Sequence, residues 1–214
     1  MLHLFFRFAE QRGYILKGGN PITDTERITG RTGDAVTIYT PAEVAKLLAA
    51  TPKDFKPCLA LCAFAGLRSA EVERLAWSDV DLKSGHITVA ADKAKTASRR
   101  VVPIVPNLSA WLASCAKKSG PIWKGTHRVF YVRQQEIAAA AGIEWKPNGL
   151  RHSFCSYRLA EIQNAAQVAL EAGNSPAVVF KHYRELVKPS AAQAWFAVKP
   201  KTPANVVAME RIAS

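Results

Sequence analysis

The sequence holds no apolar run approaching the roughly 20 residues that cross a bilayer. Its first residues, Met1–Ala9, are short and aromatic-rich and lack the small-residue cleavage site of a secretory signal. Neither a membrane span nor export is expected, and the setting read from this is a reducing cytoplasm. The four cysteines, Cys58, Cys62, Cys115 and Cys155, form no C-x-x-C pair and no Cys/His group with zinc spacing, so no metal site is expected. Cys58 and Cys62 lie four apart on an apolar helical stretch and read as small core hydrophobes. No internal repeat or low-complexity tract is present. Acidic residues are the scarcer charge, 17 against 29 lysines and arginines, a formal net charge of +12. That balance points to a polyanion, because clustered cations displace the counterions condensed on nucleic acid. The plain alternative is a basic protein kept soluble by its charge.

What is there is an ordinary globular composition, 49% hydrophobic and 21% charged, long enough at 214 residues to bury a core without staples. Residues 1–16 read as the end of the last helix of a preceding domain, with Leu4, Phe5 and Phe8 on one side. Residues 17–38 are polar and Gly-rich, a linker by composition. A compact domain is expected over residues 39–188. It opens on Thr40-Pro41-Ala42-Glu43, with an N-cap threonine, proline at the first helical position and glutamate three residues after the cap. Helices are expected over 54–65 and from Ser69. The period then changes: residues 86–91 and 100–105 are β-rich and flank a basic turn, which predicts a hairpin. After Asn107 the pattern is helical, over 108–117, 129–141, 150–161, 165–172, 176–187 and 191–197. The expected class is mainly α with one small antiparallel sheet. Residues 189–214 are a C-terminal segment in which Trp195 and Phe196 anchor either to a neighbouring subunit or to their own domain, with a tail beyond Pro200 that carries no clear signal.

Four separated features invite one explanation. Arg68 follows a glycine turn at a helix start, where an arginine joins free backbone N–H groups in an anion site. Lys93-Ala94-Lys95-Thr96-Ala97-Ser98-Arg99-Arg100 forms a cationic hairpin loop. Arg151 opens another helix, and Tyr183 sits among the basic residues Lys181, His182 and Arg184. Taken singly, each is also an ordinary surface arginine, a solvated turn or a packed tyrosine.

Their order and spacing resemble the tyrosine recombinase (phage integrase) family. Arg68 stands in G-L-R-x-x-E with Glu71, Lys95 in K-T-x-x-x-R, Arg151 in x-x-L-R-H, and Tyr183 about thirty residues later. Leu75–Asp81, Val102-Pro103-Ile104 and Tyr39–Glu43 are similar to further segments of that family, and residues 5–21 to the end of its N-terminal core-binding domain. The resemblance implies the tyrosine recombinase catalytic-domain fold of the DNA breaking-rejoining enzymes, and double-stranded DNA as partner. It also implies a homo-tetramer assembled on DNA from chains monomeric without it. Tyr183 would attack the scissile phosphate to form a 3′-phosphotyrosyl link, Arg68 and Arg151 would stabilise the transition state, and Lys95 would protonate the departing 5′-oxygen. No cofactor is implied. Lys93, Arg99, Arg100, Lys181 and Arg184 are the further cations expected on DNA, and Glu71, His152 and His182 are supporting residues.

Two positions depart from the family. Asn148 stands where a histidine precedes the second arginine by three, and Asn174 stands in the family's G-H segment. Asparagine donates a hydrogen bond but carries no proton at neutral pH. Loss of a general base costs about 10²–10⁴-fold in rate. His152 and His182 are the residues placed to compensate; the alternatives are a helix-supporting hydrogen bond for His152 and plain exposure for His182. Two other readings compete with an active recombinase: a catalytically impaired DNA-binding remnant or regulator, and a type IB topoisomerase.

Overall fold

A computed structural model of the chain describes residues 2–22, 36–90, 99–183 and 187–201. It divides into two compact units, Met1–Ala35 and Val36–Ser214. The first contains helix α1 (Leu2–Gln11), on which Leu4, Phe5 and Phe8 are exposed.

The second unit begins with α2 (Pro41–Ala50). Thr40 Oγ1 accepts from the Glu43 N–H at 3.2 Å, and the Thr40 N–H donates to Glu43 Oε2 at 2.6 Å. Two donors at the helix start are thereby satisfied reciprocally within one turn. Helix α3 (Lys56–Phe64) is buried from Pro57 to its end, so it carries no polar face and runs through the middle of the core. It stops at Gly66, whose φ of +63° places a hypothetical Cβ 2.3 Å from the Phe154 ring; only glycine fits. The short α4 (Ser69–Val72) follows, then a 3₁₀ turn at Trp77–Asp79.

The sheet is a three-stranded antiparallel meander of β1 (Val80–Asp81), β2 (His86–Val89) and β3 (Arg100–Pro103), with Ile87 opposite Val102 and Val89 opposite Arg100. Its first strand was not foreseen, since two residues are too few to display a period. The strand expected over 100–105 ends at Pro103, where the chain turns toward Pro106. The expected hairpin loop, including Lys93 and Lys95, lies outside the described residues. Six helices complete the unit: α5 (Pro106–Ala113), α6 (His127–Ala141), α7 (Gly149–Ile162), α8 (Ala165–Ala172), α9 (Pro176–Tyr183) and α10 (Pro189–Phe196). Helix α5 starts at its proline and ends four residues before the expected Lys117, where the Ser114 hydroxyl donates to the Trp111 carbonyl.

Helix α7 lies between two apolar clusters. Leu150 and Tyr157 belong to the larger one, built around α3, whereas Phe154, Cys155 and Leu159 face a smaller one with Val168, Ala172, Val179 and Tyr183. Backbone hydrogen bonds from the segment before α2 fix α7: the Tyr39 N–H donates to Ser153 Oγ at 2.7 Å, and the Tyr157 hydroxyl donates to the Tyr39 carbonyl at 3.0 Å. On its other side α10 docks in cis, with the fully buried Trp195 stacked 4.4 Å from Tyr157 and edge-on to Phe64. The chain beyond is held where Trp111 Nε1 donates to the Val198 carbonyl at 3.0 Å.

Because Trp195 fills a site enclosed by α7 and α3, Trp195→Ala should destabilise the chain by about 3–5 kcal/mol. Urea unfolding of the two proteins measures this, and a loss below about 1 kcal/mol would mean that α10 is not part of the core.

Candidate active site

The site forms at the seam between the two clusters. Arg151, in the first turn of α7, is buried at 7% exposure, a surprise for an arginine read as opening a helix at the surface. Its Nη1 donates a short hydrogen bond to the Gly66 carbonyl and its Nη2 donates to Asn174 Oδ1 at 2.9 Å. Burial pulls its guanidinium below the ordinary arginine value.

Arg68 reaches the same point from the opposite side. It caps α4, and its Nη2 donates to Asn174 Oδ1 at 3.2 Å and to the Gly173 carbonyl at 3.0 Å. Arginine has donors only, so the asparagine must turn its carbonyl oxygen to both guanidiniums and leave its amide N–H₂ available. The expected contribution of free helix N–H groups at Arg68 does not hold for its own N–H. That N–H already donates to Glu71 Oε2 at 2.9 Å.

Glu71 governs this arrangement. Its carboxylate is 1% exposed and takes Arg68 Nη1 at 3.1 Å, Arg100 Nη1 at 3.1 Å and Arg100 Nη2 at 2.8 Å. Burial alone would raise its pKa, but the hydrogen bonds from Arg100 and the Arg68 backbone, with both positive charges, bring it below the ordinary carboxylate value. Arg100, expected among the cations on DNA, is engaged within the fold. A two-pronged bond to Glu71 and a third from Nε to the Glu171 carbonyl at 3.1 Å engage its guanidinium within the fold. Gly173, at φ +66°, leaves room for it, since a Cβ there would sit 3.0 Å from Arg100 Nη1.

One further pair escaped sequence reasoning. Glu171, 1% exposed, holds Arg158 through bonds of 2.9 and 3.0 Å and so ties α8 to α7. The carbonyls of Glu171 and Gly173 at the end of α8 are those that fix Arg100 and Arg68. Nothing in local sequence flags a charge pair thirteen residues apart across two helices.

Tyr183 closes α9, 5% exposed, with its hydroxyl 2.7 Å from His152 Nδ1. Burial pushes the phenol up to about 12, against a lowering by Arg151 and Arg68. Burial, together with the charges of Arg151 and His182, pulls His152 below 6.5. His152 thus makes a specific contact with the tyrosine. His182, on the same helix as Tyr183, is exposed. Lys181 and Arg99 are exposed as well, and Arg184 lies outside the described residues. Asn148 does not join the Asn174 cluster. It lines, with Arg68, Arg151, Tyr131, Gln134 and Trp145, a neighbouring cavity of about 190 Å³. Its backbone is left-handed at φ +55°, a conformation that asparagine tolerates. Among the described residues no group of His, Cys, Asp and Glu is arranged to hold a metal ion, and no helix is long and apolar enough to cross a membrane.

The sequence profile of the phage integrase family matches residues 38–184. Tyrosine recombinase XerC of Xanthomonas campestris pv. campestris is 28% identical over 149 residues, 64% of this chain and 45% of that protein. XerC of Xylella fastidiosa is 35% identical over 107 residues, 44% of this chain and 35% of that protein. The chain thus spans under half the length of the curated relatives it matches. XerA recombinase superposes with a TM-score of 0.60 at 18% identity, covering 94% of this chain and 83% of that one. XerH recombinase in its pre-cleavage complex with difH substrate gives 0.57 at 20%, covering 88% and 63%. A lambda integrase dimer bound to a COC′ core site gives 0.58 at 17%, covering 87% and 58%. The fold, mainly α with a small antiparallel sheet, is that of tyrosine recombinase catalytic domains.

Glu71→Gln should cost about 3–5 kcal/mol, because it leaves buried guanidiniums short of a counter-charge. The folded-state pKa of Glu71 is depressed, so its contribution is present above the unfolded value of 4.5 and is lost as pH falls through the folded value. Urea midpoints measured from pH 7 to pH 3 should therefore decline more gently in Glu71→Gln than in the wild type, and parallel declines would refute the assignment.

Proposed function

The chain belongs to the phage integrase family, and on that footing we propose that it carries the catalytic domain of a site-specific DNA recombinase. The single observation that carries this reading is the convergence of two guanidiniums, Arg68 and Arg151, on one oxygen beside a buried tyrosine. A non-bridging phosphate oxygen in place of Asn174 Oδ1 would receive charge-assisted bonds from both. Such bonds grow stronger as the pentavalent transition state gathers charge. Tyrosine is a poor nucleophile at its ordinary pKa, so making the phosphodiester electrophilic is the greater part of the task.

In the proposed reaction Tyr183 Oη attacks phosphorus, the bond to the 5′-oxygen breaks, and a 3′-phosphotyrosyl link forms. Lys95 supplies the proton to the departing oxygen. The link conserves the energy of the broken bond, so attack by another strand's 5′-hydroxyl completes strand exchange without ATP or metal. The complexes of XerH with difH substrate and of a lambda integrase dimer with a COC′ core site support double-stranded DNA as the substrate class. A homo-tetramer formed on DNA in the cytoplasm fits the same reading. Residues 39–188 then form the catalytic domain, 1–16 the end of a core-binding domain, 17–38 the linker and 189–214 the C-terminal segment. Lys93, Arg99, Lys181 and Arg184 would contact the DNA backbone, and Asn148 and Asn174 would donate amide hydrogen bonds at the phosphate.

Incubation with duplexes nicked near candidate cleavage sites, drawn from the ends of the element encoding the chain, should trap a denaturation-resistant adduct. The adduct should vanish in Tyr183→Phe, and Arg151→Lys should slow its formation by about 10²–10³-fold, the cost of losing a fixed transition-state donor. DNA binding without adduct, on a duplex that an intact relative cleaves, would make the chain a catalytically impaired binding protein instead.

A further inference from the structure

Among the described residues, His152 is the ring positioned on Tyr183 Oη. Its Nδ1 lies 2.7 Å from Tyr183 Oη, with the two rings tilted 37° and their centroids 5.8 Å apart. Arg151 on α7 and His182 on α9 act on its imidazole, and Cys155 and Arg151 on α7 and Arg68 across the site act on the Tyr183 phenol. Of these, Arg151 and Arg68 are permanently cationic and Cys155 is buried and protonated. His182 is exposed, its ring centroid 6.4 Å from that of Tyr183. Among the described residues no carboxylate acts on the imidazole, and burial, with the charges of Arg151 and His182, holds it below the ordinary histidine value, which favours the neutral ring. A neutral imidazole whose Nδ1 faces a hydroxyl is an acceptor, with its own proton on Nε2.

We propose that His152 is the proton acceptor for Tyr183 in strand cleavage, performing in this chain the proton transfer that asparagine at position 148 cannot. The inference rests on the recombinase reading above. As Tyr183 Oη bonds to phosphorus, its proton passes to Nδ1, the 5′-oxygen leaves with the proton of Lys95, and an imidazolium remains. In the rejoining step a 5′-hydroxyl attacks, the P–Oη bond breaks, and the imidazolium returns its proton to Tyr183. Before attack the buried phenol is far too weak an acid to protonate imidazole, so the transfer accompanies bond formation, when the oxygen becomes strongly acidic. The bound phosphate favours it, because its negative charge offsets the Arg151 guanidinium that disfavours a second cation beside it. Asn148, by contrast, lines the cavity beside the arginines, and Tyr183 is not among that cavity's lining residues.

The test uses the full chain and the nicked duplexes already described, with single-turnover adduct formation followed between pH 5 and 8. His152→Gln should slow cleavage by about 10²–10⁴-fold, the span of a lost general base. In the wild type the rate should fall as pH drops below the depressed pKa of His152, and this limb should be missing in the variant. Added imidazole should restore part of the rate to His152→Ala. DNA affinity and thermal unfolding measured alongside should match the wild type, which separates a chemical loss from a folding defect. A His152→Gln chain that cleaves as fast as the wild type, or faster, with the same pH limb would make the contact a latch on the resting tyrosine and overturn the proposal. Absence of any adduct from the wild type, with DNA bound, would instead bring down the recombinase reading and this inference with it.

Discussion

Two guanidiniums aimed at one point repel each other, and burying them multiplies the repulsion, because there is little water to screen it. The carboxylate of Glu71 is the answer built into this fold. It lies under Arg68 and against Arg100, fully enclosed, and accepts the Arg68 backbone N–H as well. Arg68 is thus fixed at its main chain and its side chain by one residue three positions away. Arg100 links the sheet into the same charge cluster and, through the carbonyl of Glu171, links the cluster to α8. The site is consequently assembled from the hairpin, α4, α7 and α8 at once, and no single element could hold it.

Helix α7 makes that assembly rigid. Its faces serve two separate apolar clusters, so Arg151 projects from a helix clamped on both sides. The segment before α2 and the docked α10 close the clamp through Ser153, Tyr157 and Trp195. Positioning to a fraction of an ångström is what electrostatic catalysis requires, since donors that must reorganise during the reaction lose much of their effect.

Local chemistry was the legible part of this chain. Thr40 with Glu43, the glycine at 66 and the period change near His86 each announce their structure within a few residues, because the physical cause is itself local. Strand β1 left no such trace, being two residues long. The intramolecular partner of Arg100 was hidden for a different reason. A cation in a basic hairpin looks solvent-facing until a carboxylate 29 residues upstream is folded against it. The Arg158–Glu171 pair and the Tyr183–His152 contact are likewise products of helix packing. Residue spacing could name His152 as a neighbour of Arg151, but not say which way its ring would turn. The tyrosine and the two arginines were legible as a pattern shared with a family, whereas the common oxygen on which the arginines meet was not.

That oxygen has a consequence of its own. Asn174 is an internal ligand seated where an anion belongs, and it is electrically neutral. It keeps the guanidiniums aligned without cancelling their charge, so under the proposed function the site would attract a phosphodiester from a distance. An aspartate in that position would hold the arginines more firmly but would have to be evicted by a ligand of the same sign. In the proposed function only the amide oxygen need give way while the N–H₂ turns to the phosphate, a modest entry cost that DNA, anchored at many phosphates, would meet far more readily than a lone anion from solution.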